Sequence, residues 1–449
     1  RGWRVRPVHS LSWARRCMLA ARGGCAAAAL RSRAAWALRR SCISGRGLAS
    51  TGPAFRRRGG GLGGGPGGSM AASANPVDTS GYVVAKPDNI PDGDFANYLC
   101  TYGYLYHQKE MLEDQKRMQS YYDAVFGNQK LFEGKTVLDV GTGSGILAIW
   151  AAQAGARKVY AVEATYMARH AKRLAESNGV GDVVEVMQGY VEKIELPEKV
   201  DIIISEWMGY WLLRESMLDS VLVARDRFLK PGGSLYPSHA RMFLAPMRTA
   251  APAKKHDDFL DSMDGWQEFT QQTADTYGVD LSCLTDDYER EQKGYFLQTA
   301  QWAEVNPAQL LGPGVIVKQL DLNKCSLDDI QGVDSKFRLR LRGGGPEGCT
   351  VGGFCGWFDT SFKGSDENPA ESVIELNTAP EVGTCTHWGQ QVFYLHPAVE
   401  AKDGDVLEGT VQVVRNKENH RLLDIGMELT HAPKDGEGGP KRQLAWHLD

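Results

Sequence analysis

Two glutamates stand close together in the segment SEWMGYWLLRE, at Glu206 and Glu215. The segment follows the mostly apolar run VDIII, which predicts a buried strand of a parallel sheet. Ligands of such sheets bind beyond the carboxyl ends of the strands. Two carboxylates in a slot walled by Trp207, Tyr210 and Trp211 suit a planar cation with several N–H donors, such as a guanidinium group. Two other interpretations stay open: an acid/base pair, or one functional and one salt-bridged glutamate.

A second segment, VLDVGTGSGILAIW, predicts a strand, a tight glycine turn and a helix. Gly141, Gly143 and Gly145 allow a ligand close to the backbone, and the helix offers free N–H groups. The spacing GxGxG differs from the dinucleotide fingerprint GxGxxG, and Asp139 repels a pyrophosphate but attracts an amino group and a sulfonium. Glu163, which ends the next predicted strand, is placed to bind ribose hydroxyls. We therefore predict S-adenosylmethionine in preference to NAD, with a purely structural turn as the third alternative.

The surrounding patterns predict a doubly wound α/β domain over residues 131–236. The short strand VEVMQ precedes Val191 and Glu192, where an adenine edge can bind. The aromatic and charged residues of 94–130 predict helices. After Pro237, apolar and polar residues alternate between glycine-rich turns, which predicts an antiparallel sandwich or barrel.

One helical pattern interrupts the β half of the chain. The segment DDFLDSMDGWQEFTQQ carries apolar residues on one helical face, from Phe259 to Phe269. We expect either an arm that docks on a partner subunit or a helix packed on its own domain, since the pattern fits both.

The charge of the chain is divided unevenly. Residues 1–77 contain 14 Arg and no Lys, Asp or Glu, which leaves 37 of the 51 basic residues against all 55 acidic ones in residues 78–449, a net charge of −18 there. This acidic part of the chain, residues 78–449, repels nucleic acid and attracts basic peptides. Residues 1–77 fit an organelle transit peptide, a disordered Arg/Gly tail that is itself a substrate, or translated non-coding sequence before a start at Met70, which we favour. In each case they are excluded from the fold.

The cysteines and the apolar runs give no sign of a metal site or a membrane segment. The nine cysteines form no CxxC pair and no zinc spacing, which predicts free thiols in a reducing compartment. No apolar run reaches the length of a membrane-spanning helix. We expect a protein of the cytoplasm and nucleus, with organelle import only if residues 1–69 are a transit peptide.

These motifs, in this order, resemble the type I protein arginine methyltransferases, and within them the plant branch called protein arginine methyltransferase ten. The likeness extends from about Asp94 to the C-terminus. VLDVGTGSG resembles the cofactor motif of the family, and SEWMGYWLLRE resembles its double-glutamate loop. The resemblance implies a class I S-adenosylmethionine-dependent methyltransferase domain, which is Rossmann-like. It also implies a β-barrel domain from residue 237, with a helical dimerisation arm at about 250–295.

The resemblance also implies roles for individual residues. Glu206 and Glu215 would clamp the substrate guanidinium. The segment THW resembles a second signature, in which His387 pairs with Asp114; the pattern alone fits a structural and a functional histidine equally. Arg117 would pair with the cofactor's carboxylate.

A larger set of residues is predicted to line the cofactor site and the acceptor pocket. The lid YLCTY has Leu99 where the family usually has Phe, and Gln108 stands where many members have His. Met111 and Met217 would shape the acceptor pocket. The residues predicted to bind the cofactor are Tyr98, Gln108, Arg117, Asp139, Gly141, Gly143, Gly145, Glu163, Val191, Glu192 and Met217.

The predicted reaction is methyl transfer from S-adenosylmethionine to guanidinium nitrogens of arginine in proteins, by a head-to-tail homodimer. Basic Arg/Gly-rich proteins and histone tails are the expected substrates. Methylation of a small molecule and a scaffold without catalysis stay open as alternatives. The acidic body argues against the first, and the intact Glu206, Glu215 and Gly141 argue against the second. The proton would leave through Glu215 or through the His387–Asp114 pair.

Overall fold

The computed structural model of the protein describes Gly93 and residues 98–345 and 347–449. The predictions for residues 1–77 lie outside the described residues. No helix in these ranges is both long and apolar enough to cross a membrane. The helices, in chain order, are α1 (Cys100–Tyr102), α2 (Leu105–Leu112), α3 (Gln115–Phe126), α4 (Gln129–Phe132), α5 (Ile146–Gln153), α6 (Met167–Ser177), α7 (Leu218–Phe228), α8 (Ala251–Tyr277) and α9 (Thr285–Leu297).

A parallel sheet forms the first half of the fold, as the alternating patterns predicted. Its strands are β1 (Thr136–Val140), β2 (Lys158–Glu163), β3 (Val184–Gln188), β4 (Val200–Ile204) and β5 (Leu229–Tyr236). Their order is β3-β2-β1-β4-β5, so the winding reverses between β1 and β4. Leu138 of β1 pairs with Ile203 of β4. The loops after these two strands therefore meet at the carboxyl edge of the sheet, where doubly wound folds bind ligands.

Apolar side chains fix the helices against this sheet. All five residues of β1 are buried. Helix α6 buries Met167, Ala168, Ala171 and Ala175, which recur at helical spacing and form one face. The small alanines let the helix approach the strands closely.

Antiparallel strands form the second half. They are β6 (His239–Arg248), β7 (Gln301–Ala303), β8 (Val315–Asp321), β9 (Gly332–Arg340), β10 (Cys349–Gly364), β11 (Pro369–Asn377), β12 (Gln390–Ala401), β13 (Val406–Arg415), β14 (Leu423–Ala432) and β15 (Arg442–Leu448). One sheet has the order β7-β12-β10-β6-β8, with β11 on β10, and the other has the order β15-β14-β13-β9.

The two antiparallel sheets meet at both edges. At one seam β8 packs beside β9. At the other, the Ala300 N–H donates to the His447 carbonyl at 2.8 Å, and the His447 N–H donates to the Gln298 carbonyl at 2.7 Å. The predicted β-barrel is thus confirmed, since hydrogen bonds or packing close each seam.

Helices α8 and α9 pack on each other as an antiparallel pair. The rings of Trp266 and Tyr288 stack with centroids 4.3 Å apart, and the Trp266 indole N–H donates to the Thr285 hydroxyl at 3.0 Å. Phe259 is buried, but Leu260 and Phe269 are 46% and 51% exposed. The amphipathic helix predicted from the sequence therefore buries part of its apolar face within the chain and leaves the rest exposed.

Candidate active site

The double-glutamate loop has an unusual backbone. Four residues other than glycine adopt left-handed φ values: Trp211 at 45°, Leu212 at 70°, Glu215 at 81° and Ser216 at 56°. Each such residue costs about 1–3 kcal/mol and persists only where the surroundings over-determine it. The loop is therefore held in shape by its contacts.

Two tryptophans hold this loop against the barrel. The indole N–H of Trp211 donates to the Phe243 carbonyl at 3.1 Å, and its ring packs on Phe393 with centroids 4.7 Å apart. The indole N–H of Trp388 donates to the Met208 carbonyl at 2.8 Å. Trp211 is thus an anchor and not a wall of the site, which corrects the slot expected from the sequence.

The aromatic walls of the site come largely from elsewhere. Of the three aromatic residues expected to form the slot, Trp207 lines the cavity. Tyr210 instead packs beside Arg214, whose Cζ lies 5.4 Å from the centroid of the tyrosine ring. The other aromatic side chains in the cavity wall are Tyr98 and Tyr102 of the lid and Tyr190, which follows β3. The slot therefore has one wall from the double-glutamate loop and one from the N-terminal helices.

Glu206 lies two residues beyond the end of β4 and is paired with an arginine. Its Oε2 accepts from Nε of Arg117 at 3.1 Å and from Nη2 at 2.9 Å. Its Oε1 accepts from the Met208 N–H at 3.2 Å. Nη1 of Arg117 also donates to the Met111 carbonyl at 3.1 Å, which fixes that methionine beside the pair.

Glu215 is held at both carboxylate oxygens. The Tyr102 hydroxyl donates to Oε2 at 2.7 Å, and Nη1 of Arg214 donates to Oε1 at 3.0 Å. Burial raises the pKa of the Tyr98 and Tyr102 hydroxyls well above their ordinary value, and the negative charge of Glu215 raises both further. Both tyrosines therefore stay protonated and able to donate.

The glycine loop lies beside Glu206, because β1 and β4 are neighbours. Gly141 and Gly143 have φ values of +69° and +53°. A Cβ on Gly141 would lie 2.7 Å from Cε of Met217, and a Cβ on Gly143 would lie 2.8 Å from Oε1 of Gln108. Side chains at either glycine would fill the space above the loop.

Asp139 lies differently from the sequence-based expectation. Its side chain is buried and does not line the cavity. Oδ2 accepts from the Thr142 hydroxyl at 2.5 Å and from the Ala148 N–H at 3.1 Å, so the carboxyl group braces the glycine loop from below. Burial raises the pKa of Asp139 to about 7, despite the opposing effect of these hydrogen bonds.

Glu163 ends β2 and faces the cavity. Oε1 accepts from the N–H and the hydroxyl of Thr165 at 2.8 and 2.7 Å, and Oε2 accepts from the Gly143 N–H at 3.0 Å. Burial raises the pKa of Glu163, and the hydrogen bonds oppose this effect. The carboxylate is thus fixed at the rim of the glycine loop, where it can accept from a diol.

Gln108 joins the lid to the glycine loop. Its Nε2 donates to the Tyr102 carbonyl at 3.0 Å, and its Oε1 accepts from the Ser144 N–H at 3.2 Å. Across the cavity, Arg227 donates to the carbonyls of Val191 and Glu192 and fixes the segment after β3.

The structure brings His387 and Asp114 into contact. Oδ1 of Asp114 caps α3 by accepting from the Arg117 N–H at 3.0 Å. Oδ2 accepts from the His387 N–H at 2.9 Å and lies 2.7 Å from Nδ1 of its ring. Burial alone would raise the pKa of Asp114, but the hydrogen bonds from His387 and Arg117 hold it below its ordinary value. The pair thus fixes the start of the helix that carries Arg117.

Most residues predicted for the site converge on one cavity. Asp114, Asp139, Gly145 and His387 lie outside its lining. The predicted residues that line it are Tyr98, Gln108, Met111, Arg117, Gly141, Gly143, Glu163, Val191, Glu192, Glu206, Glu215 and Met217.

Two residues with a part in the site were missed by sequence reasoning. Arg214 pairs with Glu215, and its place inside the double-glutamate motif was the available signal. Arg421 lines the cavity and contacts Glu215 from 206 positions away. It stands in no local motif, so no signal in the sequence pointed to it.

The cavity fits S-adenosylmethionine. The missing Cβ atoms of Gly141 and Gly143 leave the space above the loop clear. Glu163 offers a carboxylate for the ribose hydroxyls. Arg117 also lines the cavity, where its guanidinium donates to Glu206 and to the Met111 carbonyl. Val191 and Met217 are among the apolar side chains of the lining.

Comparison with known proteins agrees with this geometry. A model of the arginine methyltransferase oligomerization subdomain matches residues 242–434, and a model of ribosomal protein L11 methyltransferase matches residues 118–237. The chain is 50% identical over 373 residues to protein arginine N-methyltransferase PRMT10 of Oryza sativa subsp. japonica, covering 83% of this chain and 96% of the relative. The PRMT10 of Arabidopsis thaliana is 50% identical over 378 residues, covering 84% of this chain and 97% of the relative.

This chain belongs to the protein arginine N-methyltransferase family. The crystal structure of the Arabidopsis thaliana enzyme superposes with a TM-score of 0.76 at 49% identity, covering 78% of this chain and all of that one. The Trypanosoma brucei PRMT1 enzyme–prozyme complex with AdoHcy superposes with a TM-score of 0.63 at 32% identity, covering 78% of this chain and all of that one. Methylation of arginine in proteins, with S-adenosylmethionine as the methyl donor, is thereby confirmed as the function of this arginine methyltransferase.

Proposed function

We propose that this arginine methyltransferase is a type I enzyme, which forms monomethylarginine and asymmetric dimethylarginine. The observation that carries the proposal is the placement of Met111 and Met217 in the same cavity as the two clamp glutamates. A methionine is unbranched and flexible, so it can make room for a nitrogen that already carries a methyl group. The same nitrogen can then return to the attacking position.

The two glutamates act on the substrate guanidinium. A guanidinium is a poor nucleophile, because its positive charge is delocalised and it does not lose its proton near neutral pH. Hydrogen bonds to Glu206 and Glu215 draw the charge toward the nitrogens that they hold, and the third nitrogen keeps more lone-pair character. S-adenosylmethionine, when bound, supplies an electrophilic methyl group. The contribution of the protein is alignment and electrostatic stabilisation.

Neighbouring residues hold the carboxylates of Glu206 and Glu215 in place. Arg117 and Arg214 each occupy one oxygen of a glutamate and balance its charge inside the protein. Oε1 of Glu206 has a backbone N–H at 3.2 Å as its partner and so retains accepting capacity for the substrate. Tyr98 and Tyr102 line the site, and the Tyr102 hydroxyl holds Oε2 of Glu215.

The substrates that fit best are basic Arg/Gly-rich proteins or histone tails. The net charge of −18 over residues 78–449 attracts basic peptides. The flexible backbone of an Arg/Gly segment can bring an arginine into a site covered by a lid. Incubation with free arginine and with an Arg/Gly peptide separates this proposal from methylation of a small molecule, because we expect turnover of the peptide alone.

The assembly that fits best is a head-to-tail homodimer. Apolar side chains on α8, α9 and their connection are exposed, among them Leu260, Phe269 and Tyr295. The match to an oligomerization subdomain covers these helices. Burial of this surface in a second copy would remove it from water.

Mass spectrometry of an Arg/Gly peptide after incubation with enzyme and S-adenosylmethionine tests the type I proposal. We expect monomethylarginine first and asymmetric dimethylarginine later. Met111→Phe should shift the balance toward the monomethyl product by crowding the returning nitrogen, whereas Met263→Phe on α8 should not. Symmetric dimethylarginine would contradict the proposal.

A further inference from the structure

The turn between β13 and β14 reaches from the barrel into the active site. The Glu215 N–H donates to the Arg421 carbonyl at 2.7 Å, and Nη1 of Arg421 donates back to the Glu215 carbonyl at 2.6 Å. The Ser216 hydroxyl donates to the His420 carbonyl at 2.7 Å. Both peptide groups of the clamp glutamate are therefore held by one residue of the turn.

This turn is itself fixed by side-chain hydrogen bonds. Oδ1 of Asn416 accepts from the N–H groups of Glu418 and Asn419 at 2.9 and 3.1 Å. Oδ1 of Asn419 accepts from the Arg421 N–H at 3.1 Å. Such local bonds preset the backbone of a turn. Arg421 thus stands on a preformed support.

The same arginine also contacts the lid. Its Cζ lies 4.0 Å from the centroid of the Tyr98 ring, which is the distance of a cation–π contact. The guanidinium of Arg421 therefore contacts both the backbone of Glu215 and the Tyr98 ring of the lid. A lysine ammonium has no planar face and no fixed fork, so it cannot make both contacts in this way.

We propose that Arg421 is a positioning residue that holds Glu215 in its left-handed conformation and couples closure of the lid to the placement of that glutamate. Glu215 has a φ of 81°, a strained value for a glutamate that persists only where its surroundings hold the backbone. Arg421 holds both the N–H and the carbonyl of Glu215. The inference rests on the proposed role of Glu215 as one arm of the guanidinium clamp.

Substitution of Arg421 tests this role in the full chain. Arg421→Met keeps the aliphatic stem and removes the guanidinium, and Arg338→Met, at an exposed arginine of β9, is the matched control. With saturating S-adenosylmethionine and Arg/Gly peptide, we expect kcat of Arg421→Met to fall at least about tenfold, because small misplacements of a catalytic group cost about that much or more. Arg421→Lys should remain at least about fivefold below the wild type, because it lacks the fork.

Hydrogen–deuterium exchange measures the opening of the lid backbone independently of catalysis. Amides of residues 98–112 should exchange faster in Arg421→Met than in the wild type or in Arg338→Met. If Arg421→Met fails to fold, as shown by its thermal midpoint, Arg421→Lys carries both measurements with the same expected directions.

A double mutant decides whether Arg421 acts through Glu215. Adding Arg421→Met to Glu215→Gln should lower kcat by less than about twofold, because the group being positioned has already lost its charge. Multiplying losses, or a kcat of Arg421→Met within about twofold of the Arg338→Met control, would overturn the inference. Near-normal turnover of Glu215→Gln alone would instead overturn the proposed clamp, and faster lid exchange in Arg421→Met would then support the lid contact alone.

Discussion

Arg117 donates two hydrogen bonds to a single oxygen of Glu206, at 3.1 and 2.9 Å, in the wall of the cavity proposed to receive the substrate guanidinium. The two side chains are 10% and 11% exposed. The family resemblance implies that Arg117 pairs with the carboxylate of the cofactor, which stays a prediction; within the protein its guanidinium pairs with Glu206. One internal guanidinium therefore balances the charge of Glu206 and leaves its other oxygen for the substrate.

We predict that Arg117→Met lowers the free energy of unfolding by about 3 kcal/mol, because it leaves a buried carboxylate without its ionic partner. In Arg117→Met/Glu206→Gln the loss should be smaller than the sum of the single losses, by about 1 kcal/mol or more. Urea unfolding measures both. Arg157→Met, at a more exposed ion pair with Glu198, is the control and should cost less than about 1 kcal/mol. Strictly additive losses would count against the pairing.

The raised pKa of Asp139 predicts a pH-dependent stability. The unfolded chain releases this proton near pH 4, whereas the folded protein keeps it until about pH 7. Between these two pH values the folded state therefore holds one proton more than the unfolded state. The contribution of Asp139 to the free energy of unfolding is complete below about pH 4 and is lost as the pH rises through about 7. Over these roughly three pH units, the free energy of unfolding falls by about 4 kcal/mol because of this group.

Asp139→Asn should flatten this dependence. The difference in unfolding free energy between wild type and variant, measured in urea at pH 4.5 and at pH 8 without cofactor, should change in favour of the variant at the higher pH. Asp286→Asn on the exposed start of α9 is the control. An equal difference at both pH values would show that the carboxyl group is already ionised in the folded protein.

The parallel half of the fold could be predicted because its strands are buried on both faces. The run VDIII is apolar and buried at every residue except Asp201, and a chemically distinctive segment follows it. Since parallel strands direct their carboxyl ends to one edge, Glu206 and the glycine loop had to lie near each other. The function followed from this placement.

The longest strand of the barrel was not predicted. β10 lacks the alternation of apolar and polar residues, because almost all of it is buried, and it contains glycines. At one of these positions, Gly356, the structure explains why a glycine is required: a Cβ there would lie 2.8 Å from Nε1 of Trp211. The glycine therefore makes room for the tryptophan that anchors the double-glutamate loop.

The partners of Glu215 could not be predicted either. Tyr102 and Arg421 reach it from 113 and 206 positions away. Contacts of this range depend on how the lid and the barrel pack on the parallel sheet, and no local spacing records that packing. Asp139 turned inward for a similar reason, since its hydrogen bonds to Thr142 and Ala148 bind it to the following helix.

Glu163→Gln should weaken the binding of S-adenosylmethionine by about 2 kcal/mol, or roughly thirtyfold, because the ribose hydroxyls lose a charged acceptor. Isothermal titration calorimetry measures the affinity directly. Glu185→Gln, on the neighbouring strand β3 and paired with Lys158, should bind as the wild type does. Equal affinities of the two variants would remove Glu163 from the cofactor site.

Charges on the exposed face of α8 should prevent self-association. Leu260→Glu/Phe269→Glu places two carboxylates on the apolar surface, and we expect a soluble monomer with much weaker activity by light scattering and rate measurement. Ile316→Glu, at an exposed apolar residue of β8, is the control and should leave the assembly unchanged. An intact dimer of the arm variant would rule out this face as the interface.

The most direct test is the initial rate of peptide methylation by Glu206→Gln, Glu215→Gln and the double mutant, with saturating cofactor and peptide. Each substitution keeps the shape of the side chain and removes one charge. If both carboxylates polarise one guanidinium, each single mutant should be slower by about 10²-fold or more, and the double mutant should be hardly worse than the poorer single. S-adenosylmethionine affinity should change little with Glu215→Gln. Near-normal turnover of either single mutant, or losses that multiply in the double mutant, would contradict the two-carboxylate clamp.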